Sequence, residues 1–142
     1  MTTDPAAIDE VAELCGDLIR FDTSNFGPAG AKGEREAAEY LAAKLDEVGI
    51  ASELFESEPR RTTLVADWAP PGCDPSLPPL LVHGHTDVVP AVAADWQVDP
   101  FAGEIQDGYV WGRVAVDMKD FDAIVLAVVR ERTRAGCAPR RP

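Results

Sequence analysis

Both histidines of the 142-residue chain stand two apart, in the run His83-Gly84-His85-Thr86-Asp87. Imidazole and carboxylate are donor types that hold zinc or exchange a proton with a reacting group. In an extended chain, residues i and i+2 share a face, so His85 and Asp87 point together if a strand persists that far. A carboxylate beside an imidazole fixes its tautomer and makes it a better metal ligand. Taken alone, H-x-D is a weak motif, more often met in a polar loop with a solvated His and a capping Asp. A second candidate is Asp117, in Trp111-Gly112-Arg113-Val114-Ala115-Val116-Asp117-Met118-Lys119 at the start of a predicted helix. An acidic residue there also simply complements the helix dipole. There is no Gly-rich phosphate loop, no nucleophile elbow and no CxxC.

The elements that must position these residues are legible from periodicity. Asp4-Pro5 reads as a helix start, a capping acceptor followed by Pro at the first helical position. Ile8, Val11, Ala12, Cys15, Leu18 and Ile19 then recur at steps of three and four, predicting a helix over 5–20 with Cys15 in the core. A polar, Gly-rich loop over 22–32 leads to a second helix over 33–48, with Ala37, Leu41, Leu45 and Val48 on one face and Gly49 as its stop. Segments 51–55 and 62–66 are β-prone and split by Glu58-Pro59, which predicts a hairpin. Residues 70–79 hold five prolines and read as loop. Leu80, Leu81 and Val82 then predict a buried strand that delivers His83 to Asp87 at its C-terminal end, where open α/β sheets place their sites. Asp107-Gly108 between 104–106 and 109–111 is a strong hairpin signal. A last helix over 118–134 has a segment, 123–129, that is apolar nearly all round and is expected to be buried on several sides. That order implies an α/β layer structure.

Thirteen basic against 25 acidic groups give a net charge of −12, which argues against nucleic acid or an anionic membrane as partner. The last thirteen residues, 130–142, hold five Arg and one Glu, which reads as a helix end complementing its dipole followed by a solvated linker. A hydrophobic fraction of 46% is globular, and the longest apolar run is too short to cross a bilayer. Cys15, Cys73 and Cys137 are odd in number and lack metal-type spacing, and no export leader precedes the first acidic helix. Reduced thiols and a cytoplasmic location are the expectation.

Three segments together are specific. HGHTDVVP at 83–90, DWQVDPF at 95–101 and the 108–119 run ending in DMK resemble the N-terminal half of the di-zinc amidohydrolase and exopeptidase family. That family includes succinyl-diaminopimelate desuccinylase, acetylornithine deacetylase, aminoacylase and glutamate carboxypeptidase. The resemblance implies an α/β/α catalytic domain around a mixed sheet, present here in part, with two zinc ions that activate water and polarise an amide carbonyl. Carried over by position, His85 is a terminal zinc ligand, Asp117 the carboxylate bridging both ions, and Asp87 the catalytic-site carboxylate that orients His85. His83 is no ligand. The peptide Asp117-Met118 is expected to be cis.

The family's general-base glutamate, its three further ligands and its lid domain are expected beyond residue 142. Residues 1–135 are thus expected to be the N-terminal part of the catalytic domain and 136–142 a linker-like tail. At most one zinc ion should bind, weakly. The substrate implied for the complete enzyme is a small N-acyl amino acid or peptide, and an incomplete sheet invites self-association. The alternative is a non-catalytic interaction or weak metal-binding module. Two positions depart from the family pattern: Val114 and Asp120 stand where glycine is usual, and a β-branched residue fits a positive φ poorly.

Overall fold

The computed structural model describes residues 6–142. Three helices and two β-hairpins form a small α/β domain. Helix α1 spans Ala7–Arg20, and its first turn is closed by Ala6 N donating to Asp9 Oδ2 at 3.2 Å. The Asp4-Pro5 start predicted from sequence lies outside the described residues. The apolar stripe faces inward from Leu14 onward, with Cys15, Leu18 and Ile19 buried, while Ile8 in the first turn is exposed. Helix α2 spans Arg35–Asp46 and stops at Gly49, whose φ of 78° is the left-handed conformation that ends a helix and suits glycine. Helix α3 spans Lys119–Arg134.

The core lies where α1 meets α3: Leu14, Cys15, Leu18 and Ile19 pack with Ala123, Leu126 and Ala127, and Leu45 and Ile50 close it from the α2 side. Strands β1 (Ser52–Glu58) and β2 (Arg61–Ala66) form the hairpin expected around Glu58-Pro59, with Leu54 opposite Leu64. Strands β3 (Glu104–Gln106) and β4 (Tyr109–Trp111) form the second hairpin. Its turn residues Asp107 and Gly108 have φ of 54° and 82°, the two positive angles that a tight right-twisted hairpin needs.

The sheet differs from the expectation. Among the described residues there is no mixed sheet, only two separate antiparallel hairpins. Leu80, Leu81 and Val82 are not a buried strand but an exposed coil, 65%, 84% and 50% accessible. The physical reason is that a central strand is made by its neighbours. Pro78 and Pro79 have no N–H to donate, and the backbone bond found here is Leu80 N to the Pro142 carbonyl, at 2.8 Å. The 123–129 segment is likewise buried on one side rather than several: Ala123, Leu126 and Ala127 face α1, while Ile124 and Val128 are exposed. The tail lies along the proline-rich loop, with Asp74 N donating to the Arg140 carbonyl at 3.1 Å.

Two charged side chains are buried between the helices. Arg130 of α3 reaches Glu10 of α1 at 3.1 Å and Glu47, just past α2, at 2.9 Å. Lys119, the first residue of α3, has no exposed surface, and its Nζ donates to the carbonyls of Leu18 and Phe21 at the end of α1, both at 2.8 Å.

Candidate functional site

His85 and Asp87 meet without a strand to align them. The segment carrying them is seated on the loop after α1 by backbone bonds from Val88 N to the Thr23 carbonyl (3.1 Å) and from Asn25 N to the Val88 carbonyl (2.8 Å). The Thr23 hydroxyl also donates to the Thr86 carbonyl. Asp87 is then fixed from two sides, by Asn25 Nδ2 at 2.8 Å and by Arg61 of β2 at 3.7 Å.

His85 Nδ1 faces two acceptors of Asp87, the backbone carbonyl at 3.0 Å and Oδ1 at 3.2 Å. Both take a proton, so Nδ1 carries it and, in the neutral ring, the Nε2 lone pair is free. Nε2 points at Asp117 Oδ1, 3.5 Å away, and the Asp117 side chain is 89% exposed. Burial pulls the His85 pKa down, but the Asp87 carbonyl, the Asp87 carboxylate and Asp117 together raise it above its ordinary value. The three residues singled out from sequence thus form one line, Asp87, His85, Asp117. The peptide between Asp117 and Met118 is cis.

His85 stands between two cavities. One, about 320 Å³, is shared with Asp117 and lined by Val88, Val89, Val114 and Val116. The other, about 520 Å³, runs between β2 and α3, where His83 lines it and Asp117 does not. Imidazole and carboxylate suit zinc, and the free Nε2 faces an exposed carboxylate, so these two residues fit a metal as ligands. Among the described residues no group of three or more His, Cys, Asp and Glu is gathered around a common point, so the donor set found is only a pair.

Residues 81–142 match the family described as Peptidase family M20/M25/M40. The chain is 41% identical over 128 residues to a succinyl-diaminopimelate desuccinylase of Methylocella silvestris, covering 84% of this chain and 30% of that protein. It is 37% identical over 95 residues to an aminoacylase-1 of Sus scrofa, covering 66% of this chain and 23% of that protein. The chain belongs to this peptidase family. At 30% and 23%, it spans less than a third of the length of these curated relatives. No helix among the described residues is long and apolar enough to cross a membrane.

Val114, where the resemblance leads one to expect glycine, sits at a φ of 60°. That conformation brings the Val114 carbonyl to Lys119 N at 3.2 Å, so the strained residue helps start α3 just after Asp117. A left-handed β-branched residue costs about 1–2 kcal/mol, and glycine in its place returns part of that as entropy of the unfolded chain. Val114→Gly is therefore expected to stabilise the fold by about 0.5–1 kcal/mol. A urea midpoint that falls would show that the Val114 side chain contributes more than its backbone costs.

Sequence reading missed the residues that hold this line in place. Asn25 lay in a loop segment that was given no role at the site. Asp122 packs against Gly84, where an added Cβ would come within 2.0 Å of its Oδ1, so a larger spacer in His83-Gly84-His85 would have to push the Asp122 carboxyl aside. Burial pushes the Asp122 carboxyl up to about 6, against the pull of His85 and Lys119.

Proposed function

We propose that this chain carries the metal-binding corner of an amide-bond hydrolase, with His85 and Asp117 as zinc ligands and Asp87 as the residue that orients His85. One observation carries it: the imidazole has its Nδ1 committed to Asp87 and its Nε2 turned toward an exposed carboxylate. Asp87 holds the proton on Nδ1 and keeps the ring from turning. Asn25 and Arg61 keep Asp87 from turning in its place. Asp117, held by little else, has oxygens free for a ligand. When bound, zinc supplies an activated water and a polarised carbonyl. The names of the relatives, a desuccinylase and an aminoacylase, favour N-acyl amino acids or small peptides as substrates of the complete enzyme.

The domain reading follows: residues 1–135 supply part of the catalytic domain and 136–142 a connecting tail. Structural zinc sites use four protein ligands and catalytic ones three, so a pair predicts a weak site filled out by water. Calorimetric titration of the metal-free chain with Zn²⁺ is expected to give a Kd no tighter than about 1 μM. His85→Ala should weaken it by about tenfold or more, and Asp87→Ala by less, since Asp87 orients and does not ligate. Nanomolar binding, or binding indifferent to His85→Ala, would overturn the assignment. Hydrolysis of N-acyl amino acids by the isolated chain is expected not to exceed that of zinc buffer. Turnover that survives Asp117→Ala would place the chemistry elsewhere.

A further inference from the structure

We propose that Arg113 makes the cavity beside His85 and Asp117 a site for a small carboxylate, the anionic end of a substrate; this rests on the hydrolase reading above. Arg20, Arg35, Arg60, Arg61 and Arg130 each pair with a carboxylate. Arg113 does not. Its backbone N donates to the Pro100 carbonyl at 2.6 Å and its Nε to the Val89 carbonyl at 2.7 Å, which fixes the side chain at its base and at its fork. Among the described residues its two Nη groups donate to no protein acceptor.

Arg113 is also the only lysine or arginine lining the cavity of about 320 Å³ that His85 and Asp117 share. The remaining lining is Val88, Val89, Val114, Ala115 and Val116 with Gly112, an apolar wall beside one fixed cation. Ligand sites have that make-up: mostly apolar, with a few convergent polar groups that set orientation. A guanidinium with Nε occupied still offers two parallel N–H donors, which match the two oxygens of a carboxylate. The valines suit an aliphatic body attached to it. A phosphate dianion would meet twice the repulsion from Asp117 and from the −12 chain, so a monoanion is favoured.

The test is an NMR titration of the intact, metal-free chain with N-acetylvaline, N-acetylvalinamide and inorganic phosphate. N-acetylvaline is expected to shift the amides of Val114, Ala115 and Val116, and to bind about tenfold more tightly than the carboxamide. Arg113→Gln should erase that preference and Arg113→Lys should keep part of it. Asp117→Asn, which removes the neighbouring negative charge and leaves Arg113 in place, should tighten carboxylate binding even where the Gln variant fails to fold. Equal binding of acid and amide, displacement by phosphate, or weaker binding in Asp117→Asn would overturn the proposal. The two readings fail separately. Zinc binding that depends on His85, with a carboxylate preference indifferent to Arg113, defeats only the carboxylate site. An Arg113-dependent preference without zinc binding defeats only the metal reading.

Discussion

Replacing Glu10 by alanine is expected to destabilise the fold by about 2–3 kcal/mol, more than any other exchange of a charged residue on α1. Glu10 accepts from Arg130 Nη2 at 3.1 Å and from both Nη groups of Arg134 at 2.8 Å. The Arg130 side chain is 5% exposed. Removing one partner of a buried pair costs more than the pair contributes, because the other charge is left desolvated. Here Glu47 and the Lys44 carbonyl remain to Arg130, which keeps the loss at the lower end of that range. Arg130→Met should cost less than Glu10→Ala, since Glu10 keeps Arg134 and Glu47 keeps Lys44 at 2.9 Å. Urea unfolding of the two variants measures the order, and a larger loss in Arg130→Met would show that hydrogen bonding to the Lys44 carbonyl dominates the cluster.

The same cluster sets an acid limb. The hydrogen bond from Arg134 lowers the Glu10 pKa, against burial and with help from Arg130. A carboxylate with a depressed folded pKa gives stability that is present above its unfolded value, near 4.5, and is lost as pH falls through the folded one. Stability should therefore drop below pH 4.5, and Glu10→Gln should flatten that drop. An unchanged acid limb in Glu10→Gln would assign it to other carboxylates.

What could be read from the chain divides along the range of the interaction. Asp107-Gly108 encodes its turn within two residues, and both take the positive φ the turn needs. The stripe from Leu14 to Ile19 encodes its burial within one helix face. Leu80, Leu81 and Val82 have strand composition, but a strand needs a ladder, and none forms beside them. His85, Asp87 and Asp117 were legible as residue types at a spacing. The agents that bring them together were not, because Asn25 reaches Asp87 across 62 positions and Arg130 reaches Glu10 across 120. An arginine in a basic run looks solvated until the fold places a carboxylate beside it. Buried charge is a tertiary property, and local pattern does not announce it.

Lys119→Met is expected to cost about 2–3 kcal/mol and also to disturb the site. Lys119 reads as the last letter of a short motif, yet it is among the largest fully buried side chains of the protein. Its ammonium donates to two carbonyls at the end of α1, Leu18, which also accepts from Phe21 N, and Phe21, which lies past the last helical turn. Methionine fills much the same volume but leaves the Phe21 carbonyl without this donor and the Leu18 carbonyl with only the Phe21 N–H, at 3.2 Å, and bonds to a charged group contribute about 1.5–3 kcal/mol each before that fill is credited. The tie has a second consequence. Phe21 leads into the loop whose Thr23 and Asn25 seat Asp87, and Lys119 lies two residues after Asp117. This side chain thus helps set the distance between the two halves of the candidate zinc site, alongside Arg113 Nε on the Val89 carbonyl. Lys119→Met should weaken Zn²⁺ binding more than Leu126→Ala, a core exchange of comparable cost on the same helix but away from the site. Equal zinc affinities at equal loss of stability would show that Asp117 is held by its own loop and owes nothing to the end of α1.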